Sequence, residues 1–81
     1  MPTPVGNRSS VVVYVGRGCS LCERALKQLE RLDVPHETVD ITGDPELEAR
    51  YREWLPVVEI DGERAFVYYV DEAALLRKLG R

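Results

Sequence analysis

Cys19 and Cys22 are the residues of this chain best suited to covalent chemistry. They stand three apart where a β-branched run, Val11–Val15, gives way through Gly16-Arg17-Gly18 to a stretch of helical period. At that spacing in a helical turn the Cα atoms lie roughly 5–6 Å apart, inside the range a disulfide spans. The pair can therefore open and close with little backbone movement. A helix start also offers free N–H groups and a positive dipole end, which favour a thiolate at the first cysteine and lower its pKa. Arg17 adds a positive charge close by in the chain. Cys22, one turn further and on the side of Leu26 and Leu29, is expected to be the less accessible thiol. The chemistry that follows is thiol–disulfide exchange: Cys19 attacks a substrate disulfide and Cys22 resolves the mixed disulfide. Two plainer readings of the pair compete. Inert core cysteines fit poorly on a turn flanked by Gly16 and Gly18. A closed zinc site needs four ligands, and the chain offers only His36 besides.

The elements that must position the pair can be read on either side of it. Val11–Val15 is apolar on both alternating faces, as in a central strand covered on both sides. From Ser20 to about Asp33, Leu21, Ala25, Leu29 and Leu32 form one stripe, with Glu23 and Lys27 paired on the opposite face. Val34-Pro35 ends that helix, because the residue before proline is pushed out of the α region. His36–Ile41 alternates, as in an edge strand, so Val11–Ile41 is a strand–helix–strand unit with a right-handed crossover and parallel strands. Asp44 caps a second helix with Pro45 in its first position. Leu47, Tyr51 and Trp54 share one face of it, and Glu46–Arg50 and Glu48–Arg52 pair on the wet side. Leu55-Pro56 stops it. Val57–Ile60 and Arg64–Tyr69 form a hairpin about Asp61-Gly62, a type I′ turn signal. Asp71 caps a last helix and Gly80 ends it.

Composition bounds what such a domain can be. Eighty-one residues make one small domain with room for neither a second core nor a large cofactor pocket. A net charge of −3, from 14 acidic and 11 basic residues, argues against nucleic acid or anionic membrane as main partner. The longest apolar run, Ala65–Val70, is far short of the ~20 residues of a membrane helix. Met1–Ser10 lacks the pattern of a secretory signal and reads as a flexible tail (residues 1–10) ahead of a domain spanning 11–81. The expected compartment is the cytoplasm, where two cysteines are reactive groups rather than a scaffold.

Over about Val11–Leu79 the chain resembles the glutaredoxin branch of the thioredoxin-like superfamily. The residues that carry the resemblance are the strand–GxGCxxC–helix opening, the Asp44-Pro45 helix start, Leu55-Pro56-Val57, the Asp61-Gly62 hairpin and the Asp71-capped last helix. It looks most like the small bacterial glutaredoxin-like proteins. The resemblance implies an α/β thioredoxin-like (glutaredoxin) fold of order β-α-β-α-β-β-α. Its four-stranded mixed sheet has the order 2-1-3-4 and is flanked by three helices, the first and third on one face. It implies a thiol–disulfide oxidoreductase with Cys19 as nucleophile and Cys22 as resolving cysteine. Pro56 matches the cis-proline that faces the pair, and Leu55 the residue whose backbone holds a substrate peptide.

Departures from the family pattern matter. Ser20-Leu21 stands between the cysteines instead of Pro-Tyr or Gly-Pro. The basic residue usual three positions before the nucleophile is Gly16 here, with Arg17 one step later. The Gly-Gly that approaches glutathione is matched by Tyr68-Tyr69. On a strand one of these tyrosines packs in the core while the other projects toward the ligand groove. The substrate-binding residues expected are thus Arg17, Leu55, Pro56 and Tyr69. The partners expected are protein or small-molecule disulfides and a reductase or dithiol donor. Glutathione is a doubtful co-substrate, no metal or other cofactor is bound, and the protein is a monomer. Two other classes compete: a non-catalytic binding module centred on Pro56 and Trp54, and an iron–sulfur carrier dimerised on Cys19 with external thiols. Trp54 is read foremost as core packing, His36 as too far from the cysteines to act on them, and Glu46, Glu48 and Glu53 as a solvated face.

Overall fold

A computed structural model describes residues 10–80. The sheet has four strands, β1 (Val11–Val15), β2 (Glu37–Asp40), β3 (Val57–Ile60) and β4 (Glu63–Val67), in the spatial order β2-β1-β3-β4. β1 is central, parallel to β2 with Val13 opposite Thr38 and antiparallel to β3 with Val13 opposite Val58. Helices α1 (Ser20–Arg31), α2 (Pro45–Tyr51) and α3 (Glu72–Lys78) flank the sheet, and a 3₁₀ turn at Arg52–Trp54 extends α2. This is the thioredoxin-like arrangement, with the expected strand order and mixed pairing.

The alternation of β1 explains why both faces need cover. Val11 and Val13 face a core shared with Ala25 and Leu29 of α1 and with Leu75 of α3. Tyr14 points the other way, to a smaller core of Ile41, Tyr51 and Val57 beneath α2. Tyr14 and Tyr51 stack there with ring centroids 4.1 Å apart, and both hydroxyls turn to the Glu59 carboxylate, at 3.4 Å and 3.0 Å. Burial, the Tyr51 hydroxyl and the charge of Glu59 push the Tyr14 phenol up to about 12.

The caps form where the side chains allow them. Asp44 Oδ1 accepts the N–H groups of Glu46 and Leu47, Pro45 opens α2, and Asp71 Oδ1 accepts the Ala74 N–H. The Asp61-Gly62 turn has the two positive φ angles of type I′, 54° and 83°. Ser10, assigned to the tail, is fixed to that turn: its N–H donates to Asp61 Oδ1 and its carbonyl accepts the Asp61 N–H. The rest of the tail, residues 1–9, lies outside the described residues.

Other expectations need correction. α1 ends at Arg31, not near Asp33, through a Schellman motif rather than by the effect of Pro35. Asp33 takes φ 60°, its N–H reaches the Glu30 carbonyl, and the Val34 N–H reaches Leu29. β2 is shorter than His36–Ile41. Of the ion pairs expected on the helices, Glu48–Arg52 forms at 3.5 Å. Glu23–Lys27 and Glu46–Arg50 are not ion pairs among the described residues. β4 stops at Val67, and Tyr68-Tyr69 lie on a bend instead of a strand.

Candidate redox site

The end of β1 delivers the chain to the site. A Cβ on Gly16 would stand 2.6 Å from Leu55 Cδ1, so its absence lets Leu55 pack against the loop that carries the cysteines. Gly18 at φ 73° completes the turn. Cys19 is the N-cap of α1, its Sγ accepting the Cys22 N–H at 3.1 Å, while its carbonyl accepts the Glu23 N–H. The two cysteines are joined as a disulfide, with Cα atoms 5.2 Å apart. Cys22 is 2% exposed and Cys19 is half-buried, so a reagent approaching from solvent meets Cys19 first.

The Leu55-Pro56 bond is cis and the Pro56 side chain is fully buried. Leu55 reaches the cysteine loop through Gly16. Arg17 is exposed, with its backbone N–H on Thr42 Oγ1 at 3.0 Å. Its charge acts on Asp40, which is held below the usual carboxylate range first by the Thr42 N–H and hydroxyl and then by Arg17. His36 is turned to the Val34 carbonyl, in a cleft that it shares with Glu30, Asp33 and Pro35.

Tyr69 is 67% exposed and Tyr68 39%, so neither tyrosine packs in the core as strand alternation required. Trp54 is also exposed, at 41%, against the core reading of that residue. Its ring lies 6.1 Å from that of Tyr68. Tyr68 takes φ 68°. Its N–H donates to the Pro56 carbonyl at 3.1 Å and its hydroxyl to the Glu53 carbonyl at 3.0 Å.

A cleft of about 200 Å³ is lined by Leu21, which stands between the cysteines in the chain, and by Arg24, Ala25, Gln28, Tyr68, Tyr69 and Val70. Sequence reasoning did not single out Tyr68 as an anchor or Arg24 and Gln28 as cleft walls. A signal for Tyr68 was present: it matches a glycine of the related pattern, and a glycine before a helix cap often marks positive φ. Among the described residues, no group of three or more His, Cys, Asp or Glu side chains could hold a metal ion. No described helix is long and apolar enough to cross a membrane.

The signature of the family described as Glutaredoxin-like domain (DUF836) matches residues 10–80. The uncharacterized protein Rv0508 of Mycobacterium tuberculosis is 33% identical over 84 residues, covering 93% of this chain and 87% of its own. Protein Ne2328 of Nitrosomonas europaea, solved by solution NMR, superposes with a TM-score of 0.76 at 25% identity, over 96% of this chain and 98% of its own. Fasciola hepatica thioredoxin superposes with a TM-score of 0.57 at 23% identity, over 93% of this chain and 81% of its own, a likeness of fold.

Proposed function

The chain belongs to the glutaredoxin-like domain family, and from that premise we propose that it is a thiol–disulfide oxidoreductase working through Cys19 and Cys22. The observation that carries the reading is the asymmetry of the pair. Cys19 caps α1 within reach of solvent, and Cys22 is buried behind it, joined to it as a disulfide. In the reducing direction the Cys19 thiolate attacks one sulfur of a substrate disulfide. A mixed disulfide forms and the first substrate thiolate leaves. The Cys22 thiolate then attacks Cys19 Sγ, releasing the second substrate thiolate and closing the Cys19–Cys22 disulfide. Two electrons pass from the dithiol to the substrate, and an external dithiol or reductase returns them. The helix start favours the attacking thiolate electrostatically, and the Cys22 N–H is placed to donate to it.

In this reading the backbone of Leu55 holds the substrate segment, the buried Pro56 fixes the course of that backbone from beneath, and Arg17 and Tyr69 flank it. The substrates are protein or small-molecule disulfides of the cytoplasm. Tyr68 and Tyr69 stand exposed where a glutathione-binding chain would present bare backbone, which favours a dithiol donor over glutathione. The test is reduction of insulin disulfides with dithiothreitol as donor, run beside a glutathione and glutathione-reductase couple. Turnover with the dithiol, lost in Cys19→Ser and stalled as a mixed disulfide in Cys22→Ser, supports the reading. Turnover unaffected by either substitution refutes it, and brisk glutathione-driven turnover refutes the choice of donor.

A further inference from the structure

Tyr68 is built into the fold at a cost that its backbone alone does not require. The bend between β4 and α3 needs a positive φ, which glycine adopts freely and a ring-bearing residue does not. Tyr68 holds φ 68° with partners for its N–H, its hydroxyl and its ring. Its N–H binds the Pro56 carbonyl, its hydroxyl binds the Glu53 carbonyl, and its ring lies against Trp54. Those two carbonyls bracket Trp54-Leu55 in the chain. Leu55 in turn packs over Gly16, next to the cysteine loop. The same tyrosine lines a cleft together with Leu21, which stands between the two cysteines in the chain. One side chain therefore joins the Trp54-Leu55 segment to a cleft that Leu21 of the Cys19-Ser20-Leu21-Cys22 turn also lines. A backbone outlier whose side chain is satisfied in this way points to a role for the side chain.

We propose that Tyr68 is a positioning residue: it fixes Trp54-Leu55 beside the Cys19–Cys22 pair and thereby sets selectivity for polypeptide disulfides over small ones. This rests on the exchange reading above and adds the class of substrate. A polypeptide must lie along Leu55 and the exposed rings to bring its disulfide to Cys19. A small disulfide needs only the sulfur. Exposed aromatic side chains held in one place offer contact area with little ordering left to do when a chain docks.

The experiment uses the pre-reduced full chain, mixed in single turnover with insulin or with bis(2-hydroxyethyl) disulfide, in wild type, Tyr68→Phe and Tyr68→Gly. Tyr68→Phe deletes the hydroxyl bond and keeps the ring. Tyr68→Gly deletes both and suits the backbone angle. The rate constant with insulin is expected to fall about threefold in Tyr68→Phe, as for loss of one hydrogen bond, and about tenfold or more in Tyr68→Gly. The rate with the small disulfide should move by less than about twofold in both, and the emission of Trp54 should shift to the red in Tyr68→Gly. Equal losses on both probes, or an unchanged insulin rate, overturn the assignment while leaving the oxidoreductase reading intact. A wild type that exchanges with neither probe overturns the oxidoreductase reading itself. If Tyr68→Gly does not fold, Tyr68→Phe decides alone by the same criterion.

Discussion

Reducing the disulfide and timing the alkylation of each thiol tests the asymmetry of the pair. In the N-cap position Cys19 Sγ accepts the Cys22 N–H at 3.1 Å. Once Cys19 is a thiolate this becomes a charge-assisted bond, a class worth about 1.5–3 kcal/mol. The open end of α1 adds roughly 0.3–1 kcal/mol. Even about 2 kcal/mol, at 1.36 kcal/mol for each tenfold, favours the thiolate of Cys19 about thirtyfold over an unassisted thiol. Cys22 loses on both counts, since burial at 2% exposure disfavours its charged form and shields it from reagent. The chain is reduced with dithiothreitol, desalted, treated with iodoacetamide at mildly acidic pH, quenched at intervals and digested for mass spectrometry. Cys19 should react about thirtyfold or more faster than Cys22. Raising the salt to about 1 M should trim only the helix-end share of the advantage, because the hydrogen bond is local. Equal rates, or a faster Cys22, would refute the electrostatic argument and the assignment of Cys19 as nucleophile with it.

Two further perturbations probe the surroundings. Tyr14, pushed up to about 12, keeps its proton in the fold where the unfolded chain, at the ordinary 10.0, releases it. Its contribution to stability is therefore complete below about pH 10 and lost as the pH rises through about 12. Absorbance titration should show Tyr14 ionising above its ordinary range, and Glu59→Gln should bring it down. A Tyr14→Phe variant whose absorbance titration loses an ordinary phenol and keeps the late one would contradict this. Gly16→Ala places a methyl 2.6 Å from Leu55 Cδ1 and should cost about 1 kcal/mol in chemical unfolding. Leu55→Ala should cost less in the Gly16→Ala chain than in the wild type, and strictly additive effects would show that the two positions do not touch.

The parts of the fold written in local rules were legible. Asp44-Pro45, Asp71 and Asp61-Gly62 each specify a cap or a turn by their own side chains, and all three form. The two-sided apolar pattern of Val11–Val15 placed β1 at the centre, and the spacing of Cys19 and Cys22 at a helix start placed the disulfide. What escaped depends on where one element meets another. The stripe Leu47–Tyr51–Trp54 assumes a single helix. The backbone leaves helical geometry at Tyr51, φ −120°, and Trp54 is left exposed beside Tyr68. The apolar run to Val70 suggests a strand through Tyr69. Pairing slips at a bulge between Val58 and Glu59, and the chain then bends so that the Tyr68 N–H meets the Pro56 carbonyl. Val34-Pro35 suggests the end of α1, while the bonds that close the helix are made by the N–H groups of Asp33 and Val34, with Asp33 at positive φ, a geometry that the proline does not dictate.

The pair of hydrogen bonds between Ser10 and Asp61 also fixes an orientation. It pins the start of β1 to the hairpin tip, and the cysteine loop leaves from the other end of the strand. The four steps from Val11 to Val15 separate the two ends by about 13 Å. A bead, an electrode linker or a fluorophore carried at position 10 therefore holds the protein by its far pole, with the disulfide turned outward to whatever is presented in solution.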